Sequence, residues 1–446
     1  MVIEREAIKN LIAWKNSNYR KPLVVQGARQ VGKSWTIRHF AKMSFENYVE
    51  INFEREPEMK DYFAKTRDVK RIIQYLSLTK SVAIEPAKTL LFFDEIQECN
   101  DALNSLKYFQ EDAPEYFVVC AGSLLGVALK RQGSSFPVGK VDFLTIYPVS
   151  FKEYLKASDL SLFNQLESFI SNEEIPELLH STLIDKYRSY HVCGGMPEAV
   201  SRFIEEGDSN AVDYIINSIN TAYTADFSKH ISTADIPKVR LIWINLQEQL
   251  AKENKKFKFA LVEKNARARD YEAAIEWLQL AGLVYKIYAT ETIRLPLNAY
   301  RDNTAFKLYM NDVGILRVLF RLDSSIVTDG DLLFREFKGI LTENFVLTSL
   351  IRQFGYEPVY WKSGNQAEIE FVIAYKNRII PIEAKSSESV RSRSLTEFRK
   401  KFQPVISLRY SMKNLKYDDG LLNIPLYMAD FTEQLLCRES HFQCRK

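Results

Sequence analysis

Cysteine, long apolar runs and unbalanced charge are all scarce in this 446-residue sequence. The five cysteines, Cys99, Cys120, Cys193, Cys437 and Cys444, are scattered and odd in number, with no C-x-x-C pair. That pattern excludes a disulfide framework and a zinc ribbon. No window approaches the apolar length of a membrane-spanning helix. The opening MVIEREAIKNLIAW carries charges throughout and lacks the apolar centre of a signal peptide. The expected location is the reducing cytoplasm, with no membrane partner. Lysine and arginine total 60 against 57 acids, a net of +3. A nucleic-acid argument must therefore rest on local patches rather than overall charge. What is present is ample core material: 46% of the residues are hydrophobic, aromatics make up 13% of the chain, and 26% are charged. This composition suits a globular chain, and its length calls for several domains.

The stretch Val24 to Ala41, VVQGARQVGKSWTIRHFA, contains G-x-x-x-x-G-K-S. A short apolar run precedes it and a helical pattern follows, the order that a phosphate-binding loop requires. Gly27 and Gly32 let backbone N–H groups turn inward around phosphates, and the next helix offers its positive end. The expected cradle is Gly27, Ala28, Arg29, Gln30, Val31, Gly32, Lys33, Ser34 and Trp35. Lys33 would reach the β- and γ-phosphates of ATP, and the Ser34 hydroxyl would coordinate Mg²⁺. A chance glycine turn between strand and helix is the competing interpretation.

Two further apolar runs weigh against chance. Thr89-Leu-Leu-Phe-Phe-Asp94-Glu95 reads as a parallel strand buried on both faces and ending in two acids. Ligands bind at the carboxyl ends of such strands. Asp94 is placed to hold the Mg²⁺ shell, and Glu95 to polarise an attacking water. Tyr116 to Ser123 supplies another strand, with Ser123 at its end near the γ-phosphate or the water. Together these segments predict a doubly wound α/β domain. They resemble an AAA-type ATPase of the group whose loop reads G-A-R-Q-V-G-K. The likeness continues through Gly139 to Leu155, where Pro148-Val-Ser-Phe-Lys-Glu153 matches the group's Pro-x-Ser-Phe-x-Glu. The group usually has Arg after that Gly. Here Lys140 lacks the bidentate fork of a finger residue, leaving Arg131 as the substitute.

Residues 157–230 are helix-patterned and read as the lid of the ATPase, after a core spanning 1–156. His191 to Glu198, with Gly194-Gly195-Met-Pro197-Glu198, matches the group's G-G-x-P-E segment. On its own chemistry it is a tight turn feeding a helix, either beside the nucleotide or a structural hinge. Residues 231–330 show three helical segments, then Ala281-Gly282 and a strand, the pattern of a winged helix-turn-helix. Arg267 and Arg269 open the expected recognition helix, while Asp270, Glu272 and Glu276 dilute its basic face. DNA binding and protein contact both fit such a module.

Residues 331–430 predict an α/β domain. An amphipathic helix between Asp331 and Leu350 carries Glu343. Two strands follow, one bearing Glu368 and Glu370, the other ending Glu383-Ala-Lys385. This set resembles the PD-(D/E)xK constellation of restriction-type nucleases. The resemblance implies Mg²⁺ on Glu370 and Glu383, Glu343 completing the shell, and Lys385 activating water. Glu370 stands where Asp is usual, a longer arm for an octahedral ion. Trp361, Lys362, Arg391, Arg393, Arg399, Lys400 and Lys401 suggest a basic surface for a nucleic-acid backbone. The expected whole is a multidomain α/β, MgATP-hydrolysing switch acting on or near DNA. Its alternatives are an ATP-gated, Mg²⁺-dependent DNA endonuclease, or a signalling or scaffold ATPase with an inactive docking domain. A protein partner or a homo-oligomer fits each of these.

Overall fold

The computed structural model describes residues 1–129, 139–170, 174–229, 231–252, 255–324, 335–364, 367–386 and 392–437. Arg131, Arg391, Asp331 and Cys444 lie outside these. The first sheet comprises β1 (Leu23–Gln26), β2 (Asn47–Asn52), β3 (Thr89–Asp94), β4 (Phe117–Ala121) and β5 (Asp142–Thr145). Their order is β2-β3-β4-β1-β5, and all neighbours are parallel. Period-two alternation divides their side chains between two cores. Leu23, Val25, Leu90, Phe92 and Val119 face one side. Val24, Leu91, Phe93, Val118 and Cys120 face the other. A sheet covered on both faces needs apolar residues at every position, which is why Thr89–Asp94 is buried throughout.

Helices Leu160–Ser168, Glu177–Cys193, Pro197–Glu206 and Ser209–Asp226 occupy the stretch expected to be helical. The Gly194–Gly195 turn is fixed from beneath by Asp312. One Asp312 oxygen accepts from Gly195 N at 2.6 Å, and the other caps the following helix through Ile315 N at 2.9 Å. Gly194 has φ 62° and lies so close to Gly314 that a methyl there would sit 2.6 Å from its nitrogen. Glycine is needed at this crossing of two backbones.

Three helices, Ile236–Ala251, Phe259–Val262 and Ala268–Leu280, precede β6 (Val284–Thr290) and β7 (Arg301–Met310). Strands from both sides of residue 330 share one sheet. β6 and β7 join β8 (Val359–Ser363), β9 (Ala367–Tyr375), β10 (Arg378–Ala384), β11 (Ser407–Ser411), β12 (Lys416–Asp418) and β13 (Leu421–Pro425) in one eight-stranded sheet. β6 pairs with β8 in parallel over Ala289–Thr290, so the sheet runs from the mid-chain hairpin into the C-terminal unit. Helices Arg335–Phe354 and Arg393–Phe402 flank it.

Asp430 ties these units together. Its Oδ1 accepts from Arg352 at 3.0 Å on helix Arg335–Phe354, and its Oδ2 from the backbone N–H of Lys152 in the N-terminal unit at 3.1 Å. The Arg352 and Asp430 side chains are 12% and 4% exposed. Truncating one partner of such a pair strands the other charge. Asp430→Ala is expected to lose about 3–5 kcal/mol, read as a lowered denaturant midpoint; an unchanged midpoint refutes the tie.

Candidate functional site

Strand β1 runs into a loop whose backbone is strained where the motif demands it. Gly27 has φ 143°, Gln30 65° and Gly32 88°. A methyl on Gly27 would overlap the carbonyl oxygen of Ile146, at the end of β5. Gly282, the left-handed turn after helix Ala268–Leu280, also approaches the loop. A methyl there would lie 3.1 Å from Ala28 N. The loop is thus pressed between the edge of its own sheet and the mid-chain turn. Arg5 braces it further, donating to Val31 O at 2.9 Å, to Tyr147 O at 2.6 Å and to Glu153 at 3.2 Å.

Lys33 and Ser34 open the following helix, Lys33–Ser44. The Lys33 ammonium donates to Gly27 O at 2.9 Å and Ala28 O at 2.8 Å. Burial pushes its pKa down to about 8, against the pull of Glu95 and Asp94. Ser34 Oγ lies 3.0 Å from both carboxylate oxygens of Asp94, at the end of β3. Burial also raises the Asp94 carboxyl, while the Ser34 hydrogen bond lowers it. Asn52, at the end of β2, donates to Asp94 Oδ2 at 3.2 Å. Glu95 takes a left-handed backbone, φ 50°, immediately past the strand, and accepts from Gln97 Nε2 at 2.5 Å. Ser123 is buried just beyond β4, the strand lying between β3 and β1. Lys33, Ser34, Asp94, Glu95 and Ser123 therefore gather at the carboxyl ends of three consecutive strands.

The rest of the expected cradle divides. Ala28 and Val31 are buried, and Val31 contributes its backbone to the brace by Arg5. Arg29 forms an ion pair with Asp226, at the end of helix Ser209–Asp226, and Tyr223 donates to Arg29 O at 2.8 Å. Trp35 is 41% exposed and stacks on His39 with ring centres 5.0 Å apart. Pro197 of the G-G-x-P-E turn lies 3.6 Å from where a Gly32 side chain would start. That turn therefore serves as a backbone crossing and also borders the loop. Lys140 pairs with Glu111 at 2.9 Å on the surface, while Arg131 lies outside the described residues.

Arg5, Asn52, Gln97, Tyr223 and Asp226 carry no motif signal. Only the folded chain brings them to the loop. Among the described residues no group of three or more His, Cys, Asp or Glu is set to hold a metal ion. An Mg²⁺ bridging nucleotide phosphates needs only one or two protein ligands, the rest being water and phosphate oxygens. Ser34 and Asp94 fit that requirement, since both oxygens of Asp94 already converge on the hydroxyl.

The C-terminal residues also converge. Glu370 on β9 and Glu383 on β10 lie on antiparallel neighbours, one position beyond the Phe371–Ile382 pairing. Lys385 Nζ lies 3.6 Å from Glu370 and 3.3 Å from Glu383. Arg409 reaches Glu383 at 3.1 Å from β11. Glu343 faces the same region and is paired with Lys255, while Tyr309 OH donates to it at 3.2 Å. Burial raises Glu370 to about 7, with Lys385 opposing. The expected basic surface is corrected at Trp361. Its ring is 1% exposed, set edge-on to Phe398 and Phe402, so it belongs to a core. Lys362, Arg393 and Arg399 each pair with an acid, respectively Asp302, Glu397 and Asp419. Lys400 and Lys401 are exposed.

Residues 19–155 match the family model described as an AAA domain. Residues 184–326 and 338–428 match models described as Domain of unknown function (DUF8612) and Domain of unknown function (DUF4143). No curated protein sequence matches the chain. Among solved structures, the Walker-type ATPase paby2304 of Pyrococcus abyssi shares 15% identity, covering 72% of this chain and 96% of that one, with a TM-score of 0.46. Aeropyrum pernix ORC1 in complex with DNA shares 11%, covering 72% and 93%, with a TM-score of 0.27. Thermotoga maritima RuvB shares 15%, covering 64% and 89%, with a TM-score of 0.30. Likeness at this level says nothing of activity. The family match, the sheet order and the loop with its two strand-end acids together identify the N-terminal unit, residues 19–155, as an AAA-type P-loop ATPase domain.

Proposed function

We propose that the chain is a MgATP-hydrolysing switch whose nucleotide state is transmitted to a winged helix and a nuclease-like unit acting on or near DNA. The observation that carries it is the convergence of Ser34 on both oxygens of Asp94, beside Lys33 and Glu95. Bound Mg²⁺ supplies charge neutralisation across the phosphates. Ser34 and Asp94 hold its shell, and Lys33 moves from the Gly27 and Ala28 carbonyls to phosphate oxygens. Glu95 accepts the proton of the attacking water, with Gln97 orienting its carboxylate.

Transmission is supported by the seat of helix Ala268–Leu280. A methyl on Gly126, just beyond β4, would meet Leu280 O at 2.8 Å, and the Gly282 turn rests on Ala28. The C-terminal end of this helix is thus bedded on the ATPase, while its opening residues, Arg267 and Arg269, are exposed. Those residues suit backbone phosphates of DNA. The helix–strand–strand–strand–helix–strand run from Arg335–Phe354 to β11, with Glu370, Glu383 and Lys385 in contact, favours a second reading, an ATP-gated, Mg²⁺-dependent DNA endonuclease. A scaffold ATPase with an inactive nuclease-like unit predicts neither cleavage nor salt-dependent DNA binding.

Lys33→Ala is expected to weaken ATP binding by about 1.5–3 kcal/mol, roughly ten- to hundredfold by titration calorimetry. Wild-type affinity in the folded variant sinks the assignment. Glu95→Gln should keep ATP binding while hydrolysis falls by roughly 10² to 10⁴. Because free Lys33 titrates at about 8 and phosphates restore its charge, binding takes up protons above that pH. Affinity therefore falls as pH rises from about 8. The binding enthalpy should vary with buffer ionisation heat at such pH, and an enthalpy independent of buffer contradicts the sign. For the second reading, DNA incubated with Mg²⁺ or Mn²⁺ should be cut by the wild type but not by Glu383→Ala or Lys385→Ala. No cleavage by the wild type leaves the switch without a nuclease.

A further inference from the structure

Two residues one turn apart on helix Ser209–Asp226 hold the phosphate loop at Arg29. The buried Tyr223 hydroxyl donates to Arg29 O at 2.8 Å, and Asp226 Oδ2 accepts from the Arg29 guanidinium. Residues three apart share a helix face, so one helix grips both the backbone and the side chain of a single loop residue. The two grips differ in what they permit. The Tyr223 hydrogen bond fixes the course of the loop, which turns left-handed at the next residue, Gln30, φ 65°. The Asp226 contact engages Nη1, the guanidinium's one hydrogen bond among the described residues, although a guanidinium carries five donors. The Arg29 side chain is 35% exposed, so its remaining donors are open to a ligand.

Asp226 does not depend on Arg29 alone. Lys229 Nζ lies 3.4 Å from its Oδ1, while Arg29 takes Oδ2. A carboxylate that keeps one cation after losing another avoids the cost of an uncompensated charge. Arg29 also acts on the charges of the nucleotide site. Partial burial opposes its charged form, but the bond to Asp226 and the charges of Asp226, Glu95 and Glu54 outweigh that and raise its pKa. Its own charge joins burial in lowering Lys33. The guanidinium is therefore in electrostatic contact with Glu95 on the water side and Lys33 on the phosphate side. Lys140, where the AAA-type group carries its finger, is engaged with Glu111 on the surface.

We propose that Arg29 is a γ-phosphate ligand supplied in cis, held by Asp226 until the terminal phosphate of ATP takes it over. This rests on the reading of the loop as a MgATP site. ADP has no terminal group to draw Arg29 from Asp226, so the exchange separates the two nucleotides. In hydrolysis the water oxygen bonds to Pγ as the bond from Pγ to the bridging oxygen breaks. Glu95 takes the proton of the water, and ADP and inorganic phosphate leave. Arg29 meets the charge on the three equatorial oxygens of the transferred group, the part an arginine finger plays. Its planar fork matches phosphate in a way that the ammonium of Lys140 does not.

The test is calorimetric titration of the full-length protein with ADP and with the β,γ-imido analogue of ATP, each with Mg²⁺. Arg29→Gln should bind the analogue about tenfold more weakly while ADP affinity stays within about twofold. Its ATP hydrolysis should fall roughly 10³-fold. Asp226→Asn keeps the shape of the side chain but not its charge, so it should bind the analogue at least about threefold more tightly, with ADP unchanged. Combining the two substitutions should reproduce Arg29→Gln, because Asp226 acts only through Arg29. Arg29→Met and Asp226→Ser serve as second variants, and circular dichroism checks each fold. If Arg29→Gln weakens both nucleotides alike, the pair merely braces the loop and the γ-phosphate role is refuted. If Asp226→Asn leaves the analogue no tighter, the exchange is refuted. If the wild type binds neither nucleotide, the MgATP reading itself falls and takes this role with it.

Discussion

The closeness of three backbones around Gly27 is the constraint on which the rest of the molecule depends. The loop after β1 has no room for a side chain against Ile146 on one side, and little between Ala28 and the Gly282 turn on the other. Backbone packed this closely cannot move independently of its neighbours, because interiors at crystal-like density transmit displacement rather than absorb it. Any displacement of this loop would therefore press on the end of β5 and on the mid-chain turn. Both lead outward, β5 toward the Glu153 capping box and Arg5, and the turn toward β6.

From β6 the connection is covalent and hydrogen-bonded at once. The strand begins two residues after Gly282 and ends in the parallel pairing of Ala289–Thr290 with Tyr360–Trp361. One strand thus has its start near the nucleotide loop and its finish in the sheet that carries Glu370 and Glu383. The buried pair of Arg352 and Asp430 reinforces the same junction, since Asp430 also receives the Lys152 N–H. Buried polar groups with several partners specify one arrangement, because any other leaves charge without compensation.

The two acidic sites solve the problem of buried charge in opposite ways. At the N-terminal site Asp94 is bound by neutral donors, Ser34 and Asn52, and Lys33 is engaged with carbonyl oxygens. That leaves room for cationic charge to arrive with a ligand. At the C-terminal site every acid but one oxygen of Glu370 is met by a lysine, an arginine or a tyrosine hydroxyl from the chain.

Much of the N-terminal unit was legible in the sequence because its signals are local. A glycine with positive φ, a lysine at a helix start and an unbroken apolar strand ending in acids follow from rules acting over a few residues. The order of Gly27, Lys33, Ser34, Asp94 and Glu95 along the chain therefore determined a P-loop and two strand-end acids on a parallel sheet, and E-x-K after an alternating strand placed Glu383 and Lys385 beside Glu370. Tertiary structure alone decided which side chains complete those sites. Arg29 pairs with Asp226, nearly two hundred residues away, and Lys255 with Glu343, 88 residues away. Trp361 entered a core, although its basic neighbours suggested a surface, because β8 is covered by helix Arg393–Phe402. Period and spacing report which face of an element is apolar, but not which other element will cover it. That depends on the packing of whole units, and no short stretch of sequence encodes it.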